Sequence, residues 1–474
     1  MNDWYTFFFA RDNFESRRDI AYTENFNLEK ARELYALAEE PSKNARFLHV
    51  AGTNGKGSTC FYLEQGLLAA CTNEARNGSP ARAGLFMSPH VENAAERIRV
   101  QGQPVSGEEM RWAAEQLAER IPENARATAF EMLFLAALLL FEKHACSWVV
   151  LETGVGGRLD TTNIMTPEIS VITPIALDHT ALLGPDLPSI AREKAGIIKA
   201  GVPVVSARQT PEARDVLRAR ALDLGSPYYE NAGYSIQELG FRGALLTRAD
   251  GSKWQTKMPG AEQAANLDLA LTALAILGIA PDPDAFKERL SREFLPARLE
   301  YCAGPQPFLI DGAHNPQALE RLAAFIARRR AEGIVRECIV ITAMMADKDI
   351  AGNMHILEDF AETLILTPLA YERAAGAEEL LRYVRKKEKC VIAASPEDAL
   401  TLARARADEL LRKREITGAG CAGNCKDTRN YNYKCFSDAP ENGNPPAKVP
   451  QPLIVITGSF MLAGSLRGPV REQK

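Results

Sequence analysis

A glycine-rich stretch near the N-terminus combines the residue types that hold phosphate. Backbone N–H groups in such a turn, together with the N-terminus of a following helix, form a site for anions. A lysine in the turn adds a charge that can reach terminal phosphates. The residues concerned are Gly52, Thr53, Asn54, Gly55, Lys56, Gly57 and Ser58. They are predicted to bind a nucleotide, with Lys56 acting on the transferred phosphate; the alternative is a glycine turn that only joins a strand to a helix.

The segments around this loop have the order that a phosphate-binding loop requires, which is strand, loop, helix. Residues 47–51 are predicted to form the strand, and the helix is predicted from residue 58 to about residue 70. The spacing departs from the common P-loop pattern. Val50 stands where the first glycine would be, and Gly57 separates the lysine from the hydroxyl.

Strand and helix patterns alternate along the rest of the chain, which indicates parallel sheets with helices on both faces. The predicted strands are residues 147–152, 169–174, 202–205, 308–311, 338–342, 363–367, 390–393 and 453–457, and a buried helix is predicted over 128–143. The pattern restarts after about Leu295. The predicted fold class is therefore α/β. A P-loop-type, parallel-sheet ATP-binding domain over residues 1–296 is followed by a smaller Rossmann-like α/β domain over 297–474.

Composition limits the classes of function. At 474 residues the chain exceeds what one hydrophobic core usually serves. A net charge of −5 with both signs mixed gives no reason to expect a nucleic-acid or anionic-membrane partner. An apolar run of about 18 residues, as a membrane span needs, is absent from the sequence. Nine scattered cysteines indicate reduced thiols and a cytoplasmic location. Aromatic residues 4–10 are interpreted as a packing segment.

Two polar segments interrupt the pattern. Residues 72–83 are predicted to form an exposed loop, and residues 417–452 a flexible insertion before the last strand. Cys421, Cys425 and Cys435 lie in the insertion, but their spacing is loose and no fourth zinc ligand is evident. A solvated loop is favoured over a metal site.

The loop and its flanking strand, residues 48–58, closely resemble the nucleotide loop of the folylpolyglutamate synthase / dihydrofolate synthase family, within the Mur ligase superfamily. Further blocks of that family follow in the same order. They are Met87-Ser88-Pro89-His90, Glu96-Arg97-Ile98, residues 152–163, Leu177-Asp178-His179, residues 193–199, residues 296–300, residues 311–316 and Asp347-Lys348-Asp349. The resemblance spans roughly residues 28 to 464.

The resemblance implies two Mg²⁺ ions around the triphosphate of ATP, held by Ser88, Glu152 and His179. Read from the residues alone, Glu152 ends a buried strand where a carboxylate can meet Mg²⁺, whereas a lone histidine such as His179 is more often structural. From the sequence without the resemblance, Lys194 would be interpreted as a surface charge. The resemblance implies instead a carbamylated, catalytic lysine near the second metal.

Other family positions fall in the second half of the sequence. Gln263 and Asn266 match nucleotide contacts, although Asn266 could equally cap a helix. Glu262 departs from the family, which usually has histidine there. The resemblance implies that Arg298 bridges phosphate oxygens and that Asp311 meets the ribose.

His314 is implied to be catalytic and to lie near the phosphates or the incoming amino acid. Ser459 is a weaker candidate for substrate binding, with a turn serine as its alternative. Lys348 is equally weak, with a surface lysine as its alternative.

The function implied is an ATP-dependent ligase that phosphorylates the carboxylate of a folate or dihydropteroate and then joins L-glutamate to it, acting as a monomer. The sequence does not decide whether the enzyme is a folylpolyglutamate synthase, a dihydrofolate synthase or both. One alternative is a Mur ligase acting on a peptidoglycan precursor, which the Gly57 spacing disfavours. A nucleotide-driven switch would leave the blocks of the second half unexplained. A nicotinamide-dependent oxidoreductase would need a Gly-x-Gly-x-x-Gly turn after its first strand, which this sequence lacks.

Overall fold

The computed structural model describes residues 3–11, 27–74, 82–231, 233–416 and 451–472. The chain divides into two compact units. The first comprises Met1–Lys257 and Ala261–Leu295, and the second comprises Met258–Gly260 and Pro296–Lys474. Among the described helices, none has both the length and the apolar character needed to cross a membrane.

The first unit contains ten of the described helices and eleven strands. The helices are α1 (Asp3–Phe9), α2 (Leu28–Leu37), α3 (Lys56–Glu74), α4 (Gly107–Arg120), α5 (Ala129–Lys143), α6 (Thr180–Leu183), α7 (Leu187–Ala195), α8 (Pro211–Asp223), α9 (Ala261–Ile276) and α10 (Pro283–Arg292). The strands are β1 (Arg46–Ala51), β2 (Ala83–Phe86), β3 (Ile98–Val100), β4 (Gln103–Pro104), β5 (Trp148–Glu152), β6 (Ile169–Ile172), β7 (Val204–Ser206), β8 (Tyr228–Glu230), β9 (Tyr234–Glu238), β10 (Ala244–Arg248) and β11 (Lys253–Thr256).

An eight-stranded sheet in the order β4-β3-β2-β5-β1-β6-β7-β8 forms the centre of the first unit. Six neighbouring strands pair in parallel, namely β2, β5, β1, β6, β7 and β8. Strands β3 and β4 are antiparallel to their neighbours. Strands β1 and β5 are buried almost along their whole length, as expected for central strands covered on both faces. The predicted α/β fold class is confirmed.

The buried helix α5 begins where its sequence predicts. Thr128 caps it, since its hydroxyl accepts the N–H of Glu131 at 3.2 Å while the Glu131 carboxylate accepts the N–H of Thr128 at 2.7 Å. In α1, Trp4 and Phe8 are buried in the same core as α5. The interpretation of residues 4–10 as a packing segment is confirmed.

The second unit has a six-stranded sheet in the order β12-β13-β17-β14-β15-β16, parallel except for the edge strand β12. Its strands are β12 (Glu300–Cys302), β13 (Phe308–Ile310), β14 (Cys338–Thr342), β15 (Thr363–Leu366), β16 (Cys390–Ile392) and β17 (Leu453–Thr457). Its helices are α11 (Pro316–Ala331), α12 (Ile350–Phe360), α13 (Ala377–Arg382), α14 (Pro396–Ile416) and α15 (Phe460–Arg471).

One sequence expectation needs correction, and another lies outside the described residues. Helix α3 begins at Lys56 and continues to Glu74, so the first residues of the predicted loop 72–83 are helical and Ala83 begins β2. Packing of α3 against α9 and α10 stabilises a longer helix than local propensity predicts. Residues 417–450, including Cys421, Cys425 and Cys435, lie outside the described residues.

Candidate active site

The glycine loop is tied to the segment that follows β6. The N–H groups of Thr53 and Asn54 donate to the carbonyl of Pro174 at 3.0 and 3.2 Å. The Thr53 hydroxyl accepts the N–H of Ala176 and donates to its carbonyl, both at 3.1 Å. These two amides are therefore used within the protein, which differs from the expectation that amides of the whole loop face a phosphate. The first N–H groups of α3 remain for an anion, because they have no intrahelical partner.

Loss of the Thr53 hydroxyl is expected to loosen this connection. Thr53→Val keeps the shape but leaves the Ala176 N–H and carbonyl without their partner, a cost of about 1–3 kcal/mol. We expect a lower thermal midpoint, measured by calorimetry, and weaker ADP binding, measured by titration calorimetry. Thr53→Ser retains the hydroxyl and should recover both properties. Equal values for the two variants would contradict the role of the hydroxyl.

Asn266 lies against the glycine loop. Gly55 has a φ of +89°, and a Cβ at this position would lie 2.5 Å from the Asn266 side-chain oxygen. Asn266 is 5% exposed and is located inside α9 rather than before its first residue, so the helix-cap alternative is wrong. Gln263, one turn earlier, is also buried, and its side-chain oxygen has no hydrogen-bond partner among the described residues. An unpaired buried amide oxygen fits a residue that meets a ligand.

Lys194 reaches the same loop from α7. It is only 4% exposed, and its Nζ donates to the carbonyl of Gly52 at 2.7 Å. The reading of Lys194 as a surface charge is therefore wrong. The other side of Gly52 is equally tight, since a Cβ there would lie 1.8 Å from the Thr173 hydroxyl. The backbone at residue 52 is thus enclosed by Thr173, the residue after β6, and by Lys194 of α7.

Two of the three predicted metal ligands are in contact. Glu152, the last residue of β5, is 3% exposed, and its carboxylate accepts the N–H of Ser88 at 3.1 Å. His179 precedes α6 in a left-handed conformation with φ of 50°, and its N–H donates to the Asp178 carboxylate at 2.9 Å. In the described part of the chain, no group of three or more His, Cys, Asp or Glu side chains is arranged to hold a metal. A metal here therefore needs hydroxyl or phosphate oxygens besides the single carboxylate of Glu152.

Asp160 has a positioning role that the sequence did not reveal. Its carboxylate accepts the N–H groups of Gly154 and Val155 at 2.8 and 3.1 Å, which fixes the turn directly after Glu152. It also accepts the Thr162 hydroxyl, which is 2.8 Å from the ring of His49. Burial raises the pKa of Asp160 and lowers that of His49 to about 3, so the histidine is neutral. Asp160 belongs to a family block, but only its buried contacts reveal this role.

In the second unit, Arg298 precedes β12 and Asp311 follows β13, so both lie at the same end of this antiparallel pair. The Asp311 carboxylate accepts the N–H groups of Leu299 at 2.8 Å and Ala313 at 2.9 Å, and burial raises its pKa. Nδ1 of His314 lies 2.8 Å from the carbonyl of Gly312. Because a carbonyl only accepts, Nδ1 carries the proton and Nε2 is the basic nitrogen of the neutral ring.

Ser459 and Lys348, the weaker candidates of the second unit, make local contacts that stabilise the backbone. Ser459 precedes α15, and its hydroxyl accepts the N–H of Met461 at 3.1 Å, as an N-cap does. Lys348 lies in the turn between β14 and α12, where its carbonyl accepts the N–H of Ile350 at 2.8 Å. The contacts therefore bring Arg298, Asp311 and His314 together. Ser459 caps a helix next to this region, since the N–H of Gly458 donates to the carbonyl of Ala313 at 2.8 Å, whereas Lys348 contributes its backbone to a different turn.

A phosphate loop on a parallel sheet, a buried carboxylate at a neighbouring strand end and a second α/β unit define an ATP-dependent ligase of the Mur type. Residues 297–411 match the family model described as Mur ligase, glutamate ligase domain. The Escherichia coli K12 dihydrofolate synthase/folylpolyglutamate synthase is 34% identical over 338 residues, covering 71% of this chain and 76% of that protein. The chain belongs to the folylpolyglutamate synthase/dihydrofolate synthase family.

Solved structures agree with this assignment. The Mycobacterium tuberculosis folylpolyglutamate synthase complexed with ADP has a TM-score of 0.78 and 26% identity over 94% of both chains. A bifunctional folylpolyglutamate synthase/dihydrofolate synthase with Mn, AMPPNP and L-glutamate bound has a TM-score of 0.69 and 27% identity, covering 94% of this chain and 96% of that one. The expected family and enzyme class are confirmed.

Proposed function

We propose that the protein uses ATP to join L-glutamate to the carboxylate of a folate or a dihydropteroate. The observation that carries this proposal is the enclosed glycine loop, with Asn266 against Gly55 and the Lys194 ammonium on the carbonyl of Gly52. Family membership and the glutamate-bound neighbour support the choice of amino acid.

In the proposed reaction, a carboxylate oxygen of the pterin substrate attacks the γ-phosphorus, and the bond from that phosphorus to the leaving ADP breaks. Lys56 and Arg298 offset the charge that develops on the transferring group and align it. The amine of L-glutamate then attacks the acyl carbon, an amide bond forms, and phosphate leaves. Nε2 of His314 accepts the proton that the amine loses.

The residues fit a divalent metal in part. Ser88 and Glu152 offer the oxygen atoms that Mg²⁺ prefers, while the imidazole of His179 is an unusual ligand for it. We propose that these three residues hold Mg²⁺, with a second ion near a carbamylated Lys194. The bound metal would neutralise phosphate charge. For carbamylation, the Lys194 ammonium would first lose a proton. The amine would then add to CO₂ and lose a second proton, which gives an anion beside Gly52.

We further propose that the protein acts as a monomer in the cytoplasm. The described cysteines Cys60, Cys146, Cys302, Cys338 and Cys390 are free thiols, which suits a reducing compartment. Light scattering after size-exclusion chromatography would test the monomer; a dimer mass would contradict it.

ADP release is expected to require both a pterin substrate and L-glutamate. The experiment measures ADP with dihydropteroate and with tetrahydrofolate, each with and without L-glutamate. Activity with one pterin or with both separates dihydrofolate synthase, folylpolyglutamate synthase and a bifunctional enzyme. Phosphate release that ignores the pterin and glutamate would overturn the ligase proposal.

A further inference from the structure

Phe460, the first residue of α15, lies between two of the proposed functional side chains of the second unit. The guanidinium carbon of Arg298 is 4.2 Å from the centre of its ring, within cation–π distance. The ring of His314 meets the same ring edge to face, with centroids 5.8 Å apart. Phe460 is only partly buried, unlike the core residues of its own helix. Its position is therefore that of a site residue rather than of a core residue.

The backbone on both sides of Arg298 is held in an unfavourable conformation. Ala297 and Leu299 have φ values of 54° and 48°, in the left-handed region that residues with a Cβ seldom adopt. Two carboxylates, of the buried Glu300 and the half-buried Asp311, hold these residues. Glu300 accepts the N–H of Ala297 at 3.0 Å, and Asp311 accepts that of Leu299 at 2.8 Å. The fold thus fixes the backbone that carries Arg298, and Nη1 of its guanidinium donates to the carbonyl of Ala297 at 3.1 Å.

Helix α15 holds this turn in two places. Arg467, 5% exposed, donates to both oxygens of Glu300 at 3.0 and 2.9 Å. Phe460, at the beginning of the same helix, provides the face on which the Arg298 guanidinium rests. The Phe460 ring also packs directly on Gly312, where a Cβ would lie 2.0 Å from the ring. Only glycine allows the ring to lie this close to the turn before His314.

We propose that Phe460 is a positioning residue that fixes the Arg298 guanidinium and the His314 ring before substrates bind. The inference rests on the roles given to Arg298 and His314 under the proposed function. The flat face of the ring orients a cation without competing for its hydrogen-bond donors. The edge-to-face contact restrains His314 in the same way.

Phe460→Leu removes the aromatic face and keeps an apolar side chain. We expect kcat for glutamate-dependent ADP formation to fall about 2- to 30-fold, the range that corresponds to a cation–π contact, with the KM for the pterin substrate nearly unchanged. Phe460→Tyr keeps the face and should stay within about twofold of the wild type on the same reasoning. Phe325→Leu is the matched control, since Arg329 lies over the Phe325 ring at 4.9 Å in the same unit but away from the turn. It should lower the thermal midpoint and leave kcat unchanged.

A double-mutant cycle separates positioning from general stability. In an Arg298→Ala background, Phe460→Leu should change kcat by less than it does in the wild type, because the group it positions is gone. Equal factors in both backgrounds, or a Phe460→Tyr variant as impaired as Phe460→Leu, would overturn the proposal. If Phe460→Leu fails to fold, Phe460→Tyr and Phe460→Met in the same cycle decide it. A wild-type protein without glutamate-dependent ADP release would instead refute the proposed function.

Discussion

Replacement of Lys56 by alanine is expected to lower kcat for glutamate-dependent ADP formation by about 10²- to 10³-fold, the cost of removing one group that stabilises transition-state charge. Lys56 is the first residue of α3 and is partly exposed, directly after the enclosed Gly55. Its ammonium is thus available to phosphate oxygens at the helix N-terminus. Because alanine is a good helix former, the fold should be retained.

Controls for Lys56 separate charge from position. Lys56→Arg keeps the positive charge and should recover part of the turnover, since a guanidinium differs in shape from an ammonium. Lys43→Ala removes a lysine of the same unit that is 61% exposed and should leave kcat unchanged. Thermal unfolding of each variant reports on folding. Near-normal turnover of a folded Lys56→Ala protein would mean that this lysine does not act on the phosphates.

Much of the sheet architecture was predictable from the sequence. Residues 338–342 and 453–457 were predicted as strands and are β14 and β17 with the same bounds. Such strands are buried on both faces, so each is a continuous run of β-branched and aliphatic residues with clear ends. Strands β9, β10 and β11 form a separate antiparallel sheet in the order β11-β10-β9, which was not predicted. Its strands are half exposed, as the alternating burial of Tyr234–Glu238 shows, so their sequences lack the continuous apolar run that marks a buried strand.

The contacts inside the site were less predictable, because they join residues far apart in the sequence. Nothing near Lys194 shows that its ammonium meets the carbonyl of Gly52, 142 positions away. Likewise, the use of the Thr53 and Asn54 amides by Pro174 depends on β1 and β6 being neighbours. Phe460 belongs to none of the predicted sites, and only the folded turn places it against Arg298. Residue types therefore predicted the chemistry, while the positioning groups required the structure.

Glu152 should have the second large effect, since it supplies the only carboxylate among the three residues proposed to hold Mg²⁺. Glu152→Gln removes the charge and keeps an oxygen that can accept the N–H of Ser88, now 3.1 Å from the carboxylate. Since removal of even an outer-sphere group commonly costs about 10- to 100-fold in metal affinity or activity, we expect at least a tenfold rise in the Mg²⁺ concentration needed for half-maximal ADP formation.

The fold itself should tolerate this change. Glu152 is 3% exposed, and the Gln variant keeps an acceptor for the N–H of Ser88, so it should remain folded in metal-free buffer. Stabilisation of the wild type by Mg²⁺ with ADP, followed by calorimetry, should be reduced in Glu152→Gln and partly kept in Glu152→Asp. Glu230→Gln is the control, because Glu230, on the edge strand β8, pairs at 3.1 Å with the exposed Arg218 of α8. A Glu152→Gln protein with the wild-type Mg²⁺ dependence in both measurements would remove this carboxylate from the metal site and leave it as an anchor for the backbone of Ser88.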